Sequence, residues 1–244
     1  MRPIRTILAF LICVYLLPGL AAAAMWVTRE HPANWRAAKW TSSHALPDPQ
    51  LNRDARVTVF AATTGGFKGA FAVHSWIVLK RKDAQSYDRY DVVGWGQPVR
   101  KNGYEPDGYW YSNAPQKVWE ISGPQAESLI PRIEDAIAAY PHNIRGAYRL
   151  WPGPNSNTFV ASILRAVPEI DAVLPANAVG RDYLSEGRLY SYDPSGDLHV
   201  TLYGLLGLSV GVKSGFEMHI MDLVAGFDFR HPGIKVPAFG RVGV

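Results

Sequence analysis

The feature that most constrains this chain is an uncharged, apolar run of 21 residues, from Ile7 to Val27. Arg2 and Arg5 precede the run, and Arg29 follows it. About 20 apolar residues can cross a bilayer as a helix, and a basic flank before such a run is typical of an export signal. Residues 1–27 are therefore predicted to be either an uncleaved membrane anchor or a cleaved signal peptide.

Two features of the run favour different outcomes. Pro18-Gly19 and the small residues Ala21–Ala24 resemble the end of a signal peptide before its cleavage site, whereas the full length up to Arg29 fits an anchor. The positive-inside rule places Arg2 and Arg5 in the cytoplasm. The expected location is the cell membrane facing the periplasm, or the periplasm itself if the signal is cleaved. The expected partners are the membrane, through this segment, and a cell-wall or lipid ligand.

Composition excludes several kinds of site. Cys13, inside the apolar run, is the only cysteine, so residues 28–244 contain no thiol nucleophile and no thiolate metal ligand. Lys and Arg number 25 against 21 Asp and Glu, and no basic stripe is present, which argues against a nucleic-acid partner. Glu217 and His219 would share one face of a strand, but two such residues are a weak metal signal. No metal and no cofactor are expected.

The remaining chain predicts one α+β domain over residues 51–244, joined to the apolar segment by a linker over residues 28–50. Alternating and β-branched runs predict strands, helical spacing predicts two helices, and the end of the chain is predicted to be a loop rich in Gly and Pro. The predicted strands are 56–63, 69–81, 87–95, 118–122 and further strands within 198–224; the helices are 124–140 and 155–167; the terminal loop is 227–244.

Two segments far apart in the chain carry candidate chemistry. His74 stands in mid-strand among apolar residues, which is costly unless its ring nitrogens are hydrogen-bonded. Ser156 stands at a predicted helix N-terminus, where free N–H groups and the helix dipole stabilise an anion. A serine so placed can act as a nucleophile if histidine accepts its proton. The residues alone favour a structural histidine and an ordinary N-cap serine over a catalytic pair.

The chain order of a strand with histidine, a second strand with a polar residue and a helix that opens with asparagine resembles that of circularly permuted papain-like hydrolases. These include relatives of NlpC-type cell-wall peptidases and the lecithin:retinol acyltransferase group. In those families a helix opens with Asn-Cys and carries an aromatic residue three positions after the cysteine; here the sequence is Asn155-Ser156-Asn157-Thr158-Phe159. The resemblance implies a papain-like antiparallel sheet packed on helices, with Ser156 as nucleophile and His74 as base. It further implies a third member that orients His74, namely Asp91 or the nearby Asp88. The implied pocket residues are Asn155, Asn157 and Thr158, with the amides of Asn157 and Thr158 binding the oxyanion.

The chain is also similar to a bacterial family of envelope proteins to which no activity can be attached. The residues that carry this likeness are His74-Ser75-Trp76, Trp95-Gly96-Gln97-Pro98, Pro106-Asp107-Gly108, Tyr140-Pro141, Pro152–Phe159, Pro175, Gly180-Arg181-Asp182 and Gly240-Arg241.

Serine in place of cysteine leaves two alternatives open. Cysteine is partly ionised near neutral pH, whereas serine needs a base at the moment of attack. The pocket is then either a working serine site, acting on amide or ester bonds of cell-wall peptides or lipids, or a degenerate pocket of a non-catalytic envelope binding or structural module. Trp76, Tyr109 and Trp110 are expected to contact the ligand in either case, although such aromatic rings also pack over sheets.

Overall fold

The computed structural model describes residues 2–184, 187–194 and 196–243. The chain begins with one continuous helix, formed by α1 (Arg2–Leu11), a π-helical turn (Ile12–Leu16) and α2 (Leu17–Val27). The whole helix has 26 residues. Its most apolar stretch of 18 residues has a mean hydropathy of 2.4, and only 11% of that stretch is buried. By length and composition this helix can cross a membrane, which is consistent with a signal sequence or a membrane anchor.

The first sheet has five antiparallel strands in the order β4-β3-β2-β1-β5. The central strands β1 and β2 are buried on both faces, as their apolar residues at alternating positions require. Val57 and Val59 of β1 face a core shared with two helices, whereas Phe60 faces an aromatic core on the other side. The elements are β1 (Arg56–Thr63), β2 (Val73–Lys80), β3 (Asp88–Val92), β4 (Val99–Lys101), β5 (Gln116–Ser122), α3 (Pro124–Ala138) and α4 (Ser156–Ala166).

The segment predicted as a linker packs onto this domain. Asp107 Oδ1 accepts a hydrogen bond from the Ser42 hydroxyl at 2.7 Å, and Asp107 Oδ2 accepts one from the Leu46 amide. The ring of Trp40 stacks on Tyr104 at 5.3 Å between centroids. Residues 40–46 therefore close the aromatic core on the face of the sheet away from α3 and α4.

The second sheet has seven strands, and each pairs antiparallel with its neighbour in the chain. The terminal loop predicted over residues 227–244 is wrong: Phe227 pairs with Ile234, and Ile234 pairs with Val242. The last two strands, Gly233–Val236 and Gly240–Gly243, are only four residues long and are rich in Gly, so their local sequence resembles that of a loop. Pairing with the preceding strand, Leu223–Asp228, orders them. The strands are β6 (Tyr190–Tyr192), β7 (Leu198–Leu202), β8 (Leu206–Gly211), β9 (Gly215–Ile220), β10 (Leu223–Asp228), β11 (Gly233–Val236) and β12 (Gly240–Gly243).

The predicted α+β class, with mixed helices, antiparallel sheets and one N-terminal apolar helix, is confirmed.

Candidate functional site

Antiparallel pairing of β2 with β3 brings His74 to an acidic side chain. Ile77 lies opposite Tyr90 and Val78 opposite Arg89, so the same register places Asp91 diagonally from His74 on one face of the sheet. His74 Nε2 lies 3.3 Å from Asp91 Oδ2, and both side chains are buried. Asp91 can only accept when ionised, so Nε2 carries the hydrogen and Nδ1 keeps the lone pair.

Asp91 has a second partner of opposite charge. Arg89, fully enclosed on the same strand, donates to Asp91 Oδ2 at 2.8 Å, and its guanidinium carbon lies 4.1 Å from the centre of the Trp76 ring. Burial by itself would raise the pKa of Asp91, but its hydrogen bonds and charge interactions with His74 and Arg89 together lower it. The carboxylate is therefore ionised near neutral pH.

His74 is a neutral base in this environment. Burial lowers the pKa of His74 below its usual value; Asp91 opposes this effect, while the charges of Arg89 and Lys68 add to it. A neutral imidazole with a free Nδ1 lone pair can accept a proton or bind a hydrogen-bond donor. Asp88, the alternative partner, instead contacts Lys101 at 3.0 Å and accepts a hydrogen bond from Asn102.

The aromatic rings predicted to contact a ligand pack in the protein interior. Trp110 stacks on His74 at 3.8 Å with an interplanar angle of 5°. Trp76 is fully enclosed and donates through Nε1 to the Pro106 carbonyl at 2.8 Å. In this arrangement Trp110 fixes the plane of the imidazole and Trp76 supports Arg89, and contact of these two rings with a ligand stays a prediction. Tyr109 lies under the Lys39 ammonium, 3.8 Å from the ring centre, and its ligand contact stays a prediction.

The N-terminus of α4 is capped by Asn155. Asn155 Oδ1 accepts hydrogen bonds from the amides of Asn157 (2.9 Å) and Thr158 (3.2 Å), and the Thr158 hydroxyl accepts one from the Asn155 amide. This capping box satisfies the amides that the resemblance assigned to an oxyanion. Both N–H groups are engaged by Asn155 in this arrangement, so binding of an oxyanion by them would require Asn155 to release them and stays a prediction.

Asn157 and Thr158 fasten α4 to its surroundings. Asn157 accepts a hydrogen bond from the Ser75 hydroxyl at 2.8 Å and donates to the Val73 carbonyl at 2.9 Å. The Thr158 hydroxyl donates to the Gly180 carbonyl at 2.6 Å. These contacts hold the first turn of α4 against the beginning of β2, the strand that carries His74.

Ser156, the first residue of α4, is buried, yet its hydroxyl makes no side-chain hydrogen bond within the described part of the chain. His74 and Ser156 line one cavity of about 360 Å³. No hydrogen bond joins the two residues among those described, because His74 projects from the face of β2 opposite to Ser75, and Ser75 contacts α4. His74 enters the cavity from one face of β2, and Ser156 enters it from α4, which packs on the other face, near the end of β2.

Several cavity residues were not foreseen from the sequence. Lys68 contributes a positive charge, and most other walls are apolar; no local motif identifies these residues, because they come from four separate segments. Besides His74 and Ser156, the lining residues are Thr64, Lys68, Phe71, Ala72, Val73, Tyr148, Leu150, Trp151, Asn155, Asn157, Val179, Met221 and Leu223.

A second polar cluster lies between α4 and the seven-stranded sheet. Asp182, Glu217 and His219 offer ligand atoms within 4.8 Å of one another, which is a spacing that suits a metal ion. However, Arg181 and Lys235 both donate to Glu217. Burial would lower the pKa of His219, but Asp182 and Glu217 together raise it to about 9, so the ring is a cation near neutral pH and lacks a free lone pair. The cluster is therefore an ion-pair network.

Comparison with known proteins identifies one family. No curated protein matches the chain, and no solved structure matches it. A family model described as a protein of unknown function, DUF3750, matches residues 54–183. That region contains the first sheet, α3, α4 and the Gly180-Arg181-Asp182 segment. Because the match covers more than half of the 244 residues, the chain belongs to the DUF3750 family.

Proposed function

We propose that this protein is a membrane-associated envelope enzyme that cleaves or transfers an acyl group, held in an ester or amide bond, with Ser156 as nucleophile and His74 as base. One observation carries the proposal: a neutral, Asp91-bound imidazole and a hydroxyl at a helix N-terminus line the same cavity, and within the described residues neither His74 Nδ1 nor that hydroxyl has a hydrogen-bond partner. The order His74, Asp91, Ser156 along the chain also supports a serine variant of the permuted papain-like arrangement.

The reaction assigns one proton transfer to each step. Ser156 Oγ attacks the carbonyl carbon of the substrate while its proton passes to His74 Nδ1. His74 then gives this proton to the leaving amine or alcohol, and the acyl group remains on Ser156. Water or a second alcohol or amine releases the acyl group by the same steps in reverse. Asp91 keeps the imidazole in the required tautomer and stabilises the imidazolium.

The oxyanion needs donors other than the capped amides. The amide of Ser156 itself precedes the two amides bound by Asn155 Oδ1, and it adjoins the attacking oxygen. Lys68, in the cavity wall, adds a positive charge, and the dipole of α4 acts in the same direction. Catalytic hydrogen bonds commonly shorten when substrate binds, so proton transfer requires His74 and Ser156 to approach each other in the complex.

A fluorophosphonate probe tests this reaction directly, because it phosphonylates an activated hydroxyl such as that of a catalytic serine. We expect the wild-type chain to be labelled, and Ser156→Ala and His74→Gln to lose the label. Ser162→Ala is the matched control: its hydroxyl donates to the Phe159 carbonyl inside α4, and its loss leaves labelling unchanged.

The second candidate is a non-catalytic binding module. The lack of a hydrogen bond between His74 and Ser156 among the described residues favours it, as do the capped amides at Asn157 and Thr158. A folded wild-type chain that takes up no probe at any pH would overturn the enzymatic proposal in favour of this one.

A further inference from the structure

The two faces of the seven-stranded sheet differ sharply in polarity. The face toward the rest of the domain is polar and charged; Glu217 and His219 point inward, where they meet Arg181 and Asp182. Five of its polar residues are buried, namely Thr201, Ser209, Glu217, His219 and Lys235. The sheet is therefore inverted relative to an ordinary soluble sheet, which buries its apolar face.

The outward face carries no charged side chain on any described strand from β6 to β12. Register pairs join Val200 to Leu208, Leu208 to Met218, and Phe227 to Ile234, so the apolar side chains form one continuous surface. The side chains of this outward face are Tyr190, Tyr192, Leu198, Val200, Leu202, Leu206, Leu208, Val210, Phe216, Met218, Ile220, Leu223, Ala225, Phe227, Ile234, Val236 and Val242.

Much of this outward face is open. Tyr190 and Tyr192 are 69% and 70% exposed, and the exposed fraction is between 40% and 52% for every outward residue of β7 and β8. Soluble monomers rarely expose a contiguous apolar patch larger than a few hundred Å². Protein interfaces, moreover, include polar and charged groups in roughly two-fifths of their area. The composition of this face therefore suits hydrocarbon better than water or a protein partner.

The N-terminal helix contacts the same face. The Tyr15 hydroxyl donates to the Met218 carbonyl of β9 at 2.9 Å, and Met218 is paired with Ala225 of β10. Tyr15 stands near the middle of Arg2–Val27, not at its end. Any bilayer that receives this helix must therefore meet the outward face of the sheet at the same time.

We propose that the outward face of the seven-stranded sheet is a membrane-docking surface, in direct contact with the acyl chains of a lipid bilayer. The adjoining apolar helix, which can itself cross a membrane, indicates that the partner of this face is a lipid bilayer. The absence of charged side chains on the described strands of the face also suits contact with acyl chains. The backbone groups inside an antiparallel sheet are already hydrogen-bonded, so only side chains need to enter the hydrocarbon. Tyrosines at the β6 edge suit the interfacial layer.

Docking in this way places the candidate site at the lipid surface. Leu223 belongs to the outward face and also lines the cavity that contains His74, and exposed Met221, at the turn before it, lines the same cavity. The cavity thus shares a wall with the docking surface. Resting on the proposed function, this points to an acyl chain of a lipid as the group that enters the apolar part of the cavity.

Fluorescence quenching of the full-length chain tests the docking surface. Cys13→Ser first removes the only cysteine. Val200→Cys and Leu208→Cys then place an environment-sensitive dye on β7 and β8. Leu208 lies opposite Met218, which Tyr15 contacts, whereas Val200 lies one strand further from that contact. Leu51→Cys, at a residue 85% exposed outside the seven-stranded sheet, is the matched control. Each labelled chain is reconstituted in phosphatidylethanolamine–phosphatidylglycerol vesicles.

We expect doxyl-labelled lipid to quench most of the emission of the dyes at positions 200 and 208, and iodide to leave these dyes unquenched. The dye at position 51 should be quenched by iodide and not by doxyl-labelled lipid. Quenching of all three dyes by iodide would overturn the proposal, because the face would then be in water. Protection at 200 and 208 from both quenchers would overturn it in favour of a second copy or another protein. The readout does not involve Ser156, so its failure is separable from failure of the enzymatic proposal.

Discussion

Asp91 Oδ2 lies 3.3 Å from His74 Nε2 and 2.8 Å from an Arg89 nitrogen, so one carboxylate oxygen serves a base and a buried cation. Asp91 and Arg89 are fully enclosed, and Asp91 Oδ1 has no hydrogen-bond partner among the described residues. The carboxylate therefore has two functions, because it holds the imidazole tautomer and neutralises a guanidinium that water does not reach.

Removing this carboxylate is expected to destabilise the fold. Asp91→Ala leaves Arg89 uncompensated, and breaking a buried pair in this way costs about 3–5 kcal/mol. Asp91→Asn keeps an acceptor for Arg89 and is expected to cost less. Urea titration of the detergent-solubilised full chain measures both. Asp88→Asn, on the same strand but solvent-accessible, is the control. A loss for Asp91→Ala no larger than the control's would show that Arg89 is not held by this pair.

The pH dependence of serine labelling follows from the pKa of His74. Burial lowers the pKa of His74, and a base works only above its pKa, so labelling of Ser156 is expected to reach half its maximum below about pH 6.5. The charge of Lys68 contributes to this lowering. Lys68→Gln should therefore shift the midpoint upward in pH. Rates of fluorophosphonate labelling across the pH range measure the shift, and a midpoint in the variant below that of wild type contradicts it.

Much of the first sheet is predictable from the sequence. The strand Arg56–Thr63 has the predicted bounds, and the Pro-Gly-Pro break followed by Asn155 places the start of α4 correctly. Local signals are strong at these positions, because β-branched runs and N-caps act over a few residues. The structure contains the contact between His74 and Asp91 that adjacent strands suggested; their catalytic role stays a prediction.

The second sheet and the cavity were harder to foresee. Alternation along β7 and β8 shows that two faces exist, but it does not show which face the domain covers, and here the polar face is covered. The cap by Asn155 competes with an oxyanion for the same amides, and a helix N-terminus alone does not reveal which one wins. Lys68 and Met221 reach the cavity only through tertiary packing.

Gly180 is required by the cap of α4. It has a φ of +89°, and a Cβ there would lie 2.3 Å from Asn155 Nδ2. Gly180→Ala is therefore expected to displace Asn155 and release the amides that it caps, at a cost of about 1 kcal/mol beyond the backbone strain. Gly146→Ala is the matched control, since its φ is +82° and nothing lies within 4 Å of its Cβ.

The two glycine variants separate the clash from the strain. Both carry the cost of a left-handed alanine, about 1–2 kcal/mol, so the difference between their unfolding free energies reports the loss of the cap. Equal destabilisation of Gly180→Ala and Gly146→Ala would show that Asn155 moves aside without cost.

The buried carboxyl group of Asp222 is expected to make the stability of the folded protein depend on pH. Burial, followed by the charge of Asp182, raises the pKa of Asp222 to about 8, although the charge of His219 and the backbone of Gly180 oppose this effect. The unfolded chain ionises this group with the ordinary aspartate pKa of 3.8, whereas the folded chain keeps it protonated up to about pH 8. The unfolded state thus binds fewer protons between these two values, so the contribution of Asp222 to stability falls as pH rises from about 4 to 8.

Asp222→Asn removes this titration and keeps the shape of the side chain, and asparagine tolerates the positive φ of 63° at this turn. The variant is expected to match wild type near pH 4 and to melt at a higher temperature than wild type above about pH 8. His219 titrates in both chains, so the difference in Tm between them reports Asp222 together with its charge interaction with His219. Asp135→Asn, on the exposed side of α3, is the control for the loss of one carboxylate. A difference in Tm that shrinks as pH rises would mean that Asp222 is ionised in the folded protein.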